Sequence, residues 1–210
     1  MEPLLRSVEI LKRNREFARF EISFMIYGMG FIMMMMAVPI FLVDVMKFNY
    51  TTSFFAKAIL AQIGIFLLSP FMGSLHDKKH PSNFAVISFG LLSLYPGILL
   101  ISQLIEPYKI QMLVVFAGFF IFGIARAADM VVWNMGSVYF AQNEDSSMYQ
   151  SIHVTLMGIR GVAAPLLGVV IKKLMDTNGI FIFSAFFFII ASIYSYFSYK
   201  KTNFYLKGKN

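Results

Sequence analysis

Long apolar stretches alternate with short polar ones along the chain, and their lengths predict helices that cross a bilayer. The first runs from about Phe20 to Val43, interrupted by Glu21 near its start and by Pro39. About 20 apolar residues at 1.5 Å rise each are enough to traverse the hydrocarbon core. A second stretch covers about Ser53–Gly73, with Lys57 near one end, and a third covers about Phe84–Ile105, with Pro96 inside it. The fourth, about Gln111–Phe140, is long enough to tilt or to project from the membrane. The fifth covers about Met148–Lys172, the segment Asp176–Gly179 breaks the helix, and the sixth covers about Ile180–Tyr199. The connections are Asp44–Thr52, SLHDKKHPSN, Glu106–Lys109 and Gln142–Ser147, the last with two acids and helix-capping serines. The expected fold is an all-α integral membrane protein. It has an amphipathic lead-in (1–19), one bundle of six transmembrane helices (20–199) and a basic tail (200–210).

Composition supports that class. Of 210 residues, 58% are hydrophobic, 17% aromatic and only 14% charged, and the mean hydropathy is +0.69. A soluble domain is nearer half apolar and about a quarter charged. A soluble core of this length does not hide so much apolar surface, whereas a bilayer does. The 24 Phe and 15 Met suit lipid-facing, adaptable helices. The chain has no cysteine, which excludes disulfides, thiolate metal sites and cysteine nucleophiles. The lead-in lacks the apolar core and cleavage site of a secretory signal peptide.

The net charge of +7 sits at helix ends and fits the positive-inside rule better than nucleic-acid binding. An even number of spans puts both termini on one side. Placing them in the cytoplasm leaves 11 Lys and Arg inside, in the lead-in, the Lys78–Lys79 loop and the tail, against five outside. This orientation implies a multi-pass protein of the plasma or inner membrane.

Charge inside the spans is the candidate chemistry. Arg126 and Asp129 lie near the middle of the fourth stretch and Arg160 near the middle of the fifth. A charge at the bilayer centre costs a few kcal/mol, so such a residue marks a functional site by default. Arg126, Asp129 and Trp133 fall at i, i+3 and i+7 and share one helical face. One reading is a substrate cavity with Trp133 as its aromatic wall; the other is a structural ion pair. His153 and Arg160 share another face, which points most simply into a water-filled cavity. There Arg160 binds an anionic group or pairs with Asp129, and His153 relays protons or is simply hydrogen-bonded. Gly158, Gly161, Pro165 and Gly168 form a small-residue stripe for a close helix neighbour, as do Gly28 and Gly30.

His76 and His80 are four apart, but Pro81 and two lysines argue against a metal pair. The chain carries no hydrolase, zinc-protease, Walker or dinucleotide motif. It is therefore expected to be no enzyme and to need no metal or cofactor. A faint repeat pairs Pro70–Gly73 with Pro165–Gly168, the equivalent positions if the bundle is two inverted three-helix repeats.

The loop Gly73-x-x-x-Asp77-Lys78 resembles the signature G-x-x-x-D-(R/K)-x-G-(R/K) of the major facilitator superfamily. It departs at its end, where His80 stands for the second Gly and Pro81 for a basic residue. The segment from Trp133 to Gly168 resembles the tenth and eleventh helices of bacterial major facilitator transporters, ending in a G-x-R-G-x-x-x-P-x-x-G helix. The resemblance implies the six-helix C-terminal half of a twelve-helix transporter, with the lead-in as the central linker. It implies a midplane site and alternating access. It implies that Asp77 locks a helix end in the other half; in a self-paired bundle the nearest equivalent lies near Ser146 and Ser147. The partners are then the bilayer, a small solute and a second six-helix half, either another copy or a separate N-terminal half. An anionic solute is expected, because Arg126 and Arg160 exceed Asp129 by one charge. The alternative is a non-transporting membrane protein, a relic fragment or an assembly or binding module.

Overall fold

A computed structural model describes residues 2–207, with side chains described over 6–204. The described residues are helical, with no strand. Helix α1 is Glu2–Arg13 and α2 is Arg15–Ile40, prolonged by a π-helical turn Phe41–Val45. Helix α3 (Tyr50–Phe54), a second π-helical turn (Phe55–Leu60) and α4 (Ala61–Asp77) form one rod. Then come α5 (Pro81–Ser102), α6 (Tyr108–Tyr139) and α7 (Ser146–Lys207). Among the described residues five stretches are long and apolar enough to cross a membrane: Arg15–Val45, Tyr50–Asp77, Pro81–Ser102, Tyr108–Tyr139 and Ser146–Phe204.

Most helices begin a few residues earlier than hydropathy alone predicts, because capping residues set their starts. The first N–H groups of a helix lack intrahelical partners, and a preceding side chain supplies one. The Asn14 side chain accepts from the Phe17 N–H at 3.0 Å, and that of Asn49 from the Thr52 N–H at 2.8 Å. His80 Nδ1 accepts from the Ser82 N–H at 3.2 Å, with Pro81 in the first helical turn.

Helix α7 holds the main departure from the expected boundaries. The predicted break over Asp176–Gly179 shrinks to one residue, Asp176, at φ 57° and ψ −164°. A straight helix of this length would run ~93 Å, about three times the hydrocarbon thickness. Instead the chain goes out and back. At one end of α7, the Tyr149 hydroxyl accepts from Asn14 Nδ2 at 3.3 Å. Near the other, Thr202 Oγ1 accepts from Arg19 Nη2 at 3.3 Å. Both limbs therefore end beside the start of α2. The reversal lies at the far side, where Asn178 Oδ1 accepts from Gln103 Nε2 at 2.8 Å just past the end of α5.

The two limbs of α7 flank α2, α5 packs on α7 and α6, and α6 packs on α4. Backbone contact joins α4 to α6. A Cβ on Gly64 would stand 2.6 Å from the Phe120 carbonyl oxygen, and one on Gly123 would collide with the Ala61 carbonyl. Only glycine fits such an approach. Gly30 lies against the second limb of α7, where a Cβ would stand 2.9 Å from Phe187 Cβ and 3.0 Å from the Ser184 carbonyl oxygen. The Ser184 hydroxyl donates to the Gly30 carbonyl at 2.9 Å.

Aromatic rings fill the interior, among them Phe17, Phe20, Phe24, Phe89 and Tyr95. The outer surface is also apolar, with Phe66, Leu113, Leu166, Leu174 and Phe197 exposed. Large apolar residues outside as well as inside suit helices surrounded by lipid.

The predicted small-residue stripe packs within the chain at Gly168 but not at Gly158 or Gly161. Gly168 is buried, and a Cβ there would stand 3.4 Å from Met33 Cγ; Pro165 is half-buried. Gly158 and Gly161 are exposed, with nothing within 4 Å of a Cβ at either. Their helix turns its larger residues, His153 and Arg160, towards α2, and the glycines fall on the other side.

Candidate functional site

The charged residues inside the bundle form a ribbon where α2, α6 and the first limb of α7 meet. Along it α2 and that limb run side by side in one sense. Glu21 faces His153, Phe24 and Gly28 face Arg160, and Met33 faces Gly168.

At one end His153 Nδ1 lies 2.9 and 3.0 Å from the two carboxylate oxygens of Glu21. Both residues are buried. A proton on Nδ1 donates to that carboxylate, which fixes the ring's orientation. The imidazole packs against Phe24, 4.6 Å between centroids, and Trp133, 6.0 Å. Its Nε2 is buried without a hydrogen-bond partner.

Arg160 comes next and is 2% exposed. Its Nη1 donates to the Phe24 carbonyl oxygen at 2.5 Å. The guanidinium carbon lies 5.0, 5.4 and 5.3 Å from the ring centroids of Phe24, Tyr27 and Trp133. An aromatic enclosure favours a cation through the ring quadrupoles. Gly28 leaves the volume the guanidinium occupies.

At the far end Arg126 Nη1 pairs with Asp129 Oδ2. The Arg126 side chain is partly exposed and Asp129 is fully buried. Arg126 also stands 4.8 Å over the Phe31 ring. The Tyr27 hydroxyl lies within electrostatic reach of both guanidinium groups. Tyr27 Oη, Asp129 Oδ1 and Arg160 Nε are buried without hydrogen-bond partners.

This arrangement corrects three expectations. Arg160 does not pair with Asp129; its acceptor is a main-chain carbonyl. The His153–Arg160 face turns onto α2 rather than into an open, water-filled cavity. The interior holds a second acid, because Glu21 joins Asp129 opposite Arg126 and Arg160, so the count of one acid against two arginines that pointed to an anionic solute becomes two against two. Arg126 and Asp129 do meet, and Trp133 bridges the two predicted faces by touching both His153 and Arg160.

Glu21, Phe24 and Tyr27 belong to the ribbon but were not read as site residues. Glu21 had a signal: it is an acid inside an apolar stretch, and Glu21 to Gly28 has the same seven-residue step as His153 to Arg160.

The loop residues behave differently. Gly73 has open space around it. The Asp77 side chain is largely exposed, with His76 Nδ1 3.8 Å away, and Lys78 is exposed. Within this chain Asp77 does not serve Ser146 or Ser147. The Ser147 N–H donates to Asp145 Oδ1 at 2.9 Å instead, and bonds from Ser147 hold the Asp145 carboxyl below the usual carboxylate range. His80 is the fixed residue of this loop. Its Nε2 lies 2.7 Å from Glu16 Oε1, and its ring packs on Tyr139, Phe140 and Tyr199. Both His80 nitrogens are thus engaged. Among the described residues no three His, Asp or Glu converge as a metal site.

No family model, curated protein or solved structure matches the chain. What the molecule establishes is an all-helical protein whose apolar helices suit a membrane, with a charged ribbon in its interior.

Proposed function

We propose that the chain is a six-pass membrane protein of half-size major facilitator type. In this reading α7 counts as two passes, the bundle is two inverted three-helix repeats, and both termini face the cytoplasm of a plasma or inner membrane. It moves a small solute by alternating access together with a second six-helix half. The buried ribbon of Glu21, His153, Arg160, Arg126 and Asp129 carries the reading. Ionisable residues inside apolar bundles are costly and mark solute or ion pathways.

The test is reconstitution into proteoliposomes and recording of solute-induced currents across a panel of anionic, cationic and neutral solutes. A response in the wild type that is lost in Arg126→Ala and Arg160→Ala, with both variants still folded, is the expected result. Silence to every solute, or a response unchanged in both variants, overturns the proposal.

A second reading has its own support. Arg126 and Asp129 pair with each other, and Arg160 donates to a main-chain carbonyl, which favours a non-transporting bundle held together by internal polar contacts. In that case the same variants lose stability and there is no current to lose.

A further inference from the structure

We propose that the end of the molecule carrying the α1–α2 junction holds a binding pocket for the phosphate of an anionic phospholipid headgroup. This rests on the membrane reading of the chain but not on transport. A cavity of about 750 Å³ opens between that junction and the two ends of α7. Its lining includes four cations, Arg13, Arg15, Arg19 and Lys201, and two acids, Glu16 and Glu144.

Each acid has a partner. Glu144 Oε2 accepts from Arg13 Nη2 at 2.5 Å and from the Tyr149 hydroxyl at 3.2 Å. Glu16 pairs with His80 at 2.7 Å and lies within electrostatic reach of Arg19. Arg19 donates to the Ser198 and Thr202 hydroxyls, both at 3.3 Å, which carry no charge. Arg15 and Lys201 are exposed, and among the described residues no acid within 4.0 Å pairs with either. The lining therefore holds four cations against two acids, and Arg15 and Lys201 are the two cations without an acid partner among the described residues.

The position argues for a lipid source. The pocket lies at the end of the apolar stretch Arg15–Val45, next to the amphipathic helix α1. That is the level at which a bilayer presents its headgroups, and amphipathic helices lie in this layer. Basic pockets beside the ends of membrane helices take phosphate headgroups, and an Arg fork matches phosphate oxygens in a bidentate manner.

The experiment is native mass spectrometry of the delipidated full chain in mild detergent. It is titrated with phosphatidylglycerol and, separately, with phosphatidylcholine, which carries the same phosphate but no net charge. The expected result is preferential retention of phosphatidylglycerol. In Arg15→Gln/Lys201→Gln its affinity falls about 30-fold, if each basic residue contributes as such residues do near anionic surfaces. Arg15→Lys/Lys201→Arg keeps the preference. Equal retention of the two lipids overturns the proposal, as does a preference undiminished in the double Gln variant. Inorganic phosphate supplies the third arm. If it binds and excludes phosphatidylglycerol, the pocket takes free anions and the lipid assignment fails. Because binding is read here and currents are read in the reconstitution, failure of one leaves the other standing.

Discussion

Gly28 and Arg160 occupy one space: a Cβ on Gly28 would fall within the Arg160 guanidinium group. The main chain of α2 accepts the arginine's hydrogen bond at Phe24 and makes room for its head one turn later. The two residues are therefore expected to be energetically coupled.

Gly28→Ala should destabilise the protein by about 1–3 kcal/mol, as overpacking of a filled interior does. The displaced guanidinium has no other described acceptor. Placing Gly28→Ala on an Arg160→Ala background should cost much less. A double-mutant cycle on unfolding in mixed micelles reads the coupling, and additive losses would show that the two side chains do not share this space.

Glu21→Ala removes the carboxylate that holds His153. Removing the acceptor leaves a buried imidazole N–H without a partner, which costs about 1–3 kcal/mol. Glu21→Gln keeps a polar partner within reach of Nδ1 and should lose less. The same unfolding assay ranks the variants, and an Ala variant as stable as wild type would contradict the pairing.

Glycines in contact and in open space should separate cleanly. Gly123→Val forces α4 away from α6, because the obstacle is the Ala61 main chain. A loss of thermal stability of several degrees is expected. Gly73→Ala meets nothing within 4 Å and should stabilise by up to about 1 kcal/mol through helix propensity. Thermal melts of both variants in one detergent make the comparison. Equal effects would place the α4–α6 contact elsewhere.

The reversal at Asp176 makes two predictions. Its φ of 57° with ψ of −164° lies in a region that suits glycine almost alone and costs other residues about 1–3 kcal/mol. Asp176→Gly should therefore raise the melting temperature, and Asp176→Val should lower it. The out-and-back path also places Lys78 and Lys173 at opposite ends of the bundle. The chain has no cysteine to interfere. Lys78→Cys and Lys173→Cys in sealed vesicles should react with a membrane-impermeant maleimide from opposite sides. Labelling of both from one side would contradict the path.

Hydropathy and local spacing alone placed the apolar stretches, the break after Lys172 and the Arg126–Asp129 contact. Each is a property of neighbours in sequence: an apolar run long enough for the bilayer, a cluster that cannot continue a helix, two charges one turn apart. Helix starts were legible to within a few residues, and the caps at Asn14, Asn49 and His80 account for the differences at α2, α3 and α5.

Only the tertiary structure decided what the interior charges meet. Glu21 and His153 are 132 residues apart, and nothing local to either names the other. Arg160 bonds to a carbonyl 136 residues away. Every residue carries a carbonyl, so such an acceptor leaves no trace in side-chain identity. The periodicity that puts Gly158 and Gly161 on one side and Arg160 on another was visible, but it does not say which side faces α2. Packing across helices makes that choice: the arginine needed a glycine, a carbonyl and three rings together, and they converge only where α2 and α6 come together against α7.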